Sequence, residues 1–104
     1  MKSWHDLIAV EDLEKSDVTF VAHGTLTLAV YDCDDGVYVS DSRCTHAGAN
    51  LCDGFFNGSD IECPLHQGLF DARTGRAKAA PATRALKMYP ARIDNGMVQI
   101  DFSK

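Results

Sequence analysis

The chain has 104 residues, of which 45% are hydrophobic, and a formal net charge of -5. This length fits a single domain over residues 1–104, and the excess of acids disfavours binding to nucleic acid, which requires a basic face. No apolar run approaches the roughly 18 residues that cross a bilayer, and the first residues lack the apolar core of a secretory signal. We therefore expect a cytoplasmic protein with no membrane attachment.

The charge is unevenly placed along the chain. Residues 1–42 carry nine acids and two lysines, whereas residues 72–92 carry six cations and no acid. These cations are Arg73, Arg76, Lys78, Arg84, Lys87 and Arg92. The pattern fits either two solvated faces or a dipole that orients the molecule on a charged partner.

Apolar and polar residues alternate with period two over most of the chain, which predicts short antiparallel strands. In chain order the predicted strands are Trp4–Val10, Val18–Ala22, Leu26–Tyr31, Val37–Ser40, Leu86–Ile93 and Met97–Phe102. A polar turn is predicted at Glu11–Ser16. Gly24 and Gly36 mark hairpins, and Asn95-Gly96 gives the strongest hairpin signal because this pair fits a type I′ turn. The predicted fold class is all-β, a small antiparallel barrel or sandwich, with Trp4 and Phe20 in its core.

Residues 43–85 break the alternation and are rich in turn formers. Within them, only Asp60–Glu62 and Leu69–Asp71 are predicted as strands. Long irregular stretches in compact domains are usually functional. We therefore predict an inserted, loop-rich subdomain at about 43–85 that holds the chemistry.

This insert contains Cys44-Thr45-His46 and Cys63-Pro64-Leu65-His66, so each of two loops supplies one cysteine and one histidine. A structural zinc site also uses two cysteines and two histidines, but usually pairs like residues in each half. The alternating order favours a binuclear iron centre, in which one iron takes both thiolates and the other both imidazoles. Zinc and a coincidence of four unrelated residues remain the alternatives. Cys33 and Cys52 lie outside both loops and are interpreted as reduced thiols.

Further residues extend this pattern. The segments Cys44-Thr45-His46-Ala47-Gly48-Ala49, Asp53-Gly54-Phe55 and Ile61–Asp71, with Thr74-Gly75, Ala80-Pro81 and Tyr89-Pro90, resemble the Rieske iron-sulfur proteins. The resemblance is strongest to the soluble Rieske ferredoxins of bacterial aromatic-ring dioxygenases, the naphthalene dioxygenase type, and covers nearly the whole chain. It implies an all-β Rieske fold with an inserted cluster-binding subdomain and one 2Fe-2S cluster.

The resemblance also assigns roles to individual residues. Cys44 and Cys63 would bind the buried iron, and His46 and His66 the outer iron. Gly48, Gln67, Gly68, Phe70 and Pro81 would surround the cluster, with Pro81 in a loop covering it from a third side. Rieske proteins of respiratory complexes carry a disulfide between the cluster loops, where this chain has Ala49 and Leu65. They also carry a serine and a tyrosine where this chain has Gly68 and Phe70, so a low reduction potential is expected.

The implied function is one-electron transfer from a flavin-containing, NAD(P)H-dependent ferredoxin reductase, with FAD, to a terminal aromatic-ring oxygenase. The chain would act as a monomeric carrier and would not be an enzyme by itself. A Rieske-like small subunit of nitrite reductase and a small zinc-stabilised binding module are the alternatives. The aromatic substrate and the particular reductase do not follow from the sequence.

Overall fold

The computed structural model describes residues 3–45, 48–65, 68–80, 82 and 84–101. In this part of the chain the fold is all-β, as predicted, with antiparallel strands and two 3₁₀ turns. The strands are β1 (Trp4–Ala9), β2 (Val18–His23), β3 (Leu26–Cys33), β4 (Gly36–Asp41), β5 (Phe55–Phe56), β6 (Asp60–Glu62), β7 (Leu69–Asp71), β8 (Ala77–Ala79), β9 (Met88–Tyr89), β10 (Ala91–Asp94) and β11 (Met97–Asp101). The 3₁₀ turns are Val10–Asp12 and Leu51–Asp53. Neither turn has the length or the apolar composition of a membrane-crossing helix, among the residues described.

The strands form three sheets, ordered β1-β11-β10, β2-β3-β4-β9 and β5-β6-β7-β8. Strand β3 lies between two apolar cores because consecutive residues of a strand point to opposite faces. Leu28 and Val30 pack into the core shared with Val98 and Ile100 of β11. Tyr31, on the other face, packs in the core that also holds the apolar residues of the third sheet. This second core carries the candidate site.

Local turn chemistry accounts for the hairpins. Asn95 and Gly96 both have positive φ, 51° and 75°, as a type I′ turn requires, and they join β10 to β11. Gly24 also has positive φ, 61°, in the predicted turn between β2 and β3. These two turn predictions are confirmed.

Three expectations were wrong. The predicted strand Leu86–Ile93 is two strands in different sheets, β9 and β10, separated by Pro90. Proline lacks an N–H and cannot donate to a ladder, whereas its carbonyl accepts from Asp101 N–H at 3.1 Å. The insert also contains two strands that were not predicted, β5 and β8. Phe20 and Trp4 are not core residues, since the Phe20 side chain is 44% exposed on β2 and Trp4 is only partly buried and belongs to neither core.

Candidate metal centre

The two cysteine loops are built with the same backbone closure. Cys44 N–H donates to Ala49 C=O at 2.8 Å, and Cys63 N–H donates to Gly68 C=O at 2.8 Å. Each bond joins a cysteine to the carbonyl five residues further along the chain. Each loop is therefore closed on itself, and its cysteine lies at the base.

The surrounding strands hold the two bases in place. An isolated bridge pairs Arg43 with Asn50 at the first loop. At the second loop, Glu62 at the end of β6 pairs with Leu69 at the start of β7. A strand pair at the second loop and an isolated bridge at the first thus hold the two cysteine backbones.

Gly48 lies at the surface of the first loop, with φ of 70°. Its N–H donates to Cys44 C=O at 2.9 Å, which turns the chain back toward the bridge. This left-handed backbone favours glycine over other residues. Gly68, by contrast, is buried and contributes its carbonyl to the second loop.

The two cysteine side chains meet beneath the loops. Cys44 and Cys63 are 2% and 1% exposed, and their thiols are in hydrogen-bonding contact with each other. Burial raises the pKa of the Cys63 thiol to about 11, and Cys44 adds to this shift. The N–H of Leu65 donates to the Cys63 sulfur and opposes the increase.

The two buried thiols of Cys44 and Cys63 are suited to binding a metal centre. Two adjacent buried thiols lose their protons most readily to a cation, because a bound metal replaces the proton and neutralises the thiolate. Leu51, Ile61 and Phe70, all fully buried in the same core, provide an apolar wall behind them. Such a wall excludes water from the sulfur atoms.

Four of the predicted site residues, His46, His66, Gln67 and Pro81, lie outside the described residues. Their roles stay predictions. In the described part of the chain, the structure brings together Cys44 and Cys63 from the predicted ligand set.

Thr45 is a site residue that the sequence analysis did not identify as functional. Its Oγ1 donates to Arg84 C=O at 2.8 Å, across 39 positions of sequence. This bond ties the first cysteine loop to the chain segment that follows Pro81. A threonine between two predicted ligands was the available signal, but its partner has no local motif.

The structural role of Gly54 is a second feature that the sequence did not reveal. A Cβ atom at Gly54 would overlap the carbonyl oxygen of Glu62, the residue before Cys63. The glycine therefore allows the backbone leading into β5 to lie directly against the end of β6. The Asp53-Gly54-Phe55 segment was noticed as a motif, without this reason.

Cys33 and Cys52 are free thiols outside the two cysteine loops. Burial raises the pKa of both thiols, for Cys52 to about 12. Cys33 is 6% exposed at the end of β3, and Cys52 lies in the 3₁₀ turn Leu51–Asp53. Both are therefore poor nucleophiles at neutral pH.

Fold and site together define a small all-β protein with two matched loops that present paired buried thiols to a metal cluster. Residues 3–90 match the family described as Rieske [2Fe-2S] domain. The chain belongs to this family, and its cofactor is one 2Fe-2S cluster. The zinc alternative is therefore not supported.

The chain is similar to ferredoxins over nearly its whole length. It is 43% identical to the ferredoxin component of the naphthalene 1,2-dioxygenase system from Pseudomonas aeruginosa, covering 98% of each chain. The solved structure of a ferredoxin from Sphingomonas yanoikuyae B1 has a TM-score of 0.89 at 41% identity, covering 95% of this chain and 98% of that one. A chain in the complex of reduced oxygenase and oxidised ferredoxin in carbazole 1,9a-dioxygenase has a TM-score of 0.88 at 32% identity, covering 97% and 94%.

Proposed function

We propose that the chain is the ferredoxin of an aromatic-ring dioxygenase system, carrying single electrons from a flavin-containing reductase to a terminal oxygenase. The observation that carries this function is the contact between the buried thiols of Cys44 and Cys63, held by two matching loops. Relatives of the chain are ferredoxin components of dioxygenase systems, which are electron-transfer components and not catalysts. The alternative of a nitrite reductase small subunit has no specific observation in its favour.

In this proposal Cys44 and Cys63 bind the inner iron as thiolates, and His46 and His66 bind the outer iron. When bound, the cluster supplies a centre that accepts and releases one electron. The chain's own residues position the two sulfur atoms, because each cysteine backbone closes its own loop and is flanked by an isolated bridge at Cys44 or a strand ladder at Cys63. A fixed site changes little on electron transfer.

The residues around the cluster determine how readily the electron is accepted. Phe70 is fully buried and packs in the same core as both cysteines. Phenylalanine has no hydroxyl to donate to sulfur, and a donor near sulfur would stabilise the reduced state. We assign Gly48, Gln67, Gly68 and Pro81 to the same surroundings, and we expect a potential at the low end of the Rieske range.

The remaining assignments concern the setting of the protein. We propose an FAD-containing, NAD(P)H-dependent reductase as electron donor, a monomeric chain and a cytoplasmic location. Free cysteines are typical of a reducing compartment, and the net charge of -5 disfavours self-association. Light scattering of the iron-loaded protein tests the monomer directly.

A reconstituted electron-transfer chain tests the function. The iron-loaded protein is combined with the reductase and oxygenase of the Pseudomonas putida naphthalene 1,2-dioxygenase system, NADH and naphthalene. We expect product formation that depends on this protein, together with iron and acid-labile sulfide in equal amounts and a Rieske-type electron paramagnetic resonance signal. Colourless protein containing zinc, or an iron-loaded protein that NADH and reductase leave oxidised, would overturn the proposal.

A further inference from the structure

A basic depression adjoins the first cysteine loop. Its volume is about 330 Å³, and its lining residues are Asp41, Arg43, Cys44, Thr45, Gly48 and Arg84. Arg43 and Arg84 are both exposed. Cys44 is a proposed ligand, so two exposed arginines line a depression at the edge of the molecule where the cluster is proposed to lie.

The cations at this edge are not neutralised by partners among the described residues, unlike several others. Arg73 pairs with Asp35 at 3.1 Å, and Lys78 pairs with Asp60 at 2.9 Å. For Arg43 and Arg84, the described part of the chain shows no ion pair and no side-chain hydrogen bond. Their hydrogen-bond donors are therefore available to a partner.

The depression keeps a net positive charge after its own acid is counted. Asp41 is its one acidic lining residue, and Tyr89 Oη donates to that carboxylate at 2.6 Å. Lys87 adjoins the depression, since its C=O accepts from Asp41 N–H at 3.0 Å, and its Nζ lies 5.1 Å from the Tyr89 ring. Two arginines thus line the depression against one carboxylate, with Lys87 next to it in the fold.

Acidic residues gather at the opposite end of the same sheet. Asp34 and Asp35 form the turn before β4, and Arg43 follows the other end of that strand. A six-residue strand spans about 20 Å, well beyond the Debye length of about 8 Å at physiological salt. A partner at the depression therefore experiences the nearby arginines more strongly than the distant acids.

We propose that the depression flanked by Arg43 and Arg84 docks an acidic surface of the terminal oxygenase. This inference rests on the proposed function, because it concerns the protein that receives the electron. The choice of the oxygenase follows from the likeness to a chain that was solved in complex with its oxygenase. Carboxylates on the oxygenase pair with the two guanidiniums and bring it against the Cys44 loop, which shortens the path for the electron.

The first experiment measures the local field without any protein partner. The reduced, iron-loaded protein is oxidised by ferricyanide or by hexaamminecobalt(III), each of which takes one electron from one reduced protein. Arg43→Gln and Arg84→Gln should each slow the anionic oxidant and accelerate the cationic one by about 2-fold at low salt. The matched control is Arg76→Gln, which removes the same charge from an exposed residue at the other end of the third sheet, before β8. It should change either rate by less than about 1.5-fold.

The second experiment measures transfer to the oxygenase of the Pseudomonas putida naphthalene 1,2-dioxygenase system by anaerobic stopped flow. The double variant Arg43→Gln/Arg84→Gln should lower the second-order rate about 5-fold in about 20 mM salt, and less than 2-fold in about 500 mM salt. Reduction of the same variant by the reductase should change by less than about 2-fold, because the proposal assigns this surface to the oxygenase.

The outcomes separate this inference from the proposed function. If wild-type protein passes no electron to the oxygenase, both fail. If wild-type protein transfers electrons and the double variant matches it, or Arg76→Gln has an equal effect, the docking surface is wrong and the function stands. A rate loss confined to the reductase step also overturns the docking surface.

Discussion

Replacing Gly54 by alanine tests how closely the backbone before β5 packs on β6. The backbone at Gly54 has φ of -89°, which alanine adopts without strain, so any cost comes from the added methyl group. That methyl would overlap Glu62 C=O and approach Leu51 C=O to 3.1 Å. Carbon–oxygen contacts in proteins usually exceed about 3.3 Å, so the two backbone segments must separate.

The cost should lie at the upper end of the range for overpacked sites. Inserted methyl groups typically cost about 1–3 kcal/mol, and here a backbone carbonyl, not a flexible side chain, must yield. A loss of about 3 kcal/mol corresponds to a decrease in Tm of about 12–24 °C for a domain of this length. Iron content per chain should also decrease, because displacing Glu62 moves Cys63, the next residue.

The assay is thermal unfolding of the iron-loaded protein, with iron measured per chain. Gly24→Ala is the control, because nothing lies within 4 Å of its added methyl and its φ is 61°. The free energy of unfolding of that variant should decrease only by the cost of placing alanine in left-handed backbone, about 1–2 kcal/mol. If Gly54→Ala kept the wild-type iron content per chain and its Tm decreased less than that of Gly24→Ala, the packing argument would be refuted.

Cys44→Ser and Cys63→Ser should lose the cluster, whereas Cys33→Ser and Cys52→Ser should keep two irons per chain; iron analysis and electron paramagnetic resonance decide this. Phe70→Tyr should raise the reduction potential if its hydroxyl donates to sulfur, and an unchanged potential in an equilibrium redox titration would contradict that role. Burial raises the pKa of Cys52 to about 12, whereas an unfolded thiol titrates near 8.5. The folded state therefore holds a proton that the unfolded state loses, so stability should fall as pH rises from about 8.5 toward 12. Tm measured from about pH 7 to 11 should fall less steeply for Cys52→Ser, and equal slopes would contradict the assignment.

Local patterns predicted those parts of the fold that local interactions determine. The strands Asp60–Glu62 and Leu69–Asp71 were predicted with the bounds that the structure shows. Each of these two strands has a residue of high strand propensity at its centre, Ile61 or Phe70, and the two residues pair with each other in one hairpin. Phe55–Phe56 and Ala77–Ala79 lack such a local signal between turn formers, and they form strands because they pair with the outer edges of β6 and β7.

The candidate site also has a part that local sequence predicts and a part that only tertiary packing creates. Spacing alone singled out Cys44 and Cys63, since two cysteines each followed closely by a histidine form a local pattern. The contact between their thiols and the bond from Thr45 to Arg84 join residues far apart in sequence. Tertiary packing creates such contacts, and no local pattern encodes them.

The basic run at residues 72–92 shows why charge alone could not decide between a solvated face and an oriented dipole. Its effect depends on which cations are already paired. Arg73 and Lys78 are paired with Asp35 and Asp60, carboxylates 38 and 18 positions away, and these pairings follow from the fold. Arg84 keeps its charge available, and the fold places it with Arg43, a cation outside the run, beside a proposed ligand loop. If the depression docks the oxygenase as proposed, pairing decides which cations act, so Arg84→Gln should slow electron transfer to the oxygenase in the stopped-flow assay more than Arg73→Gln does.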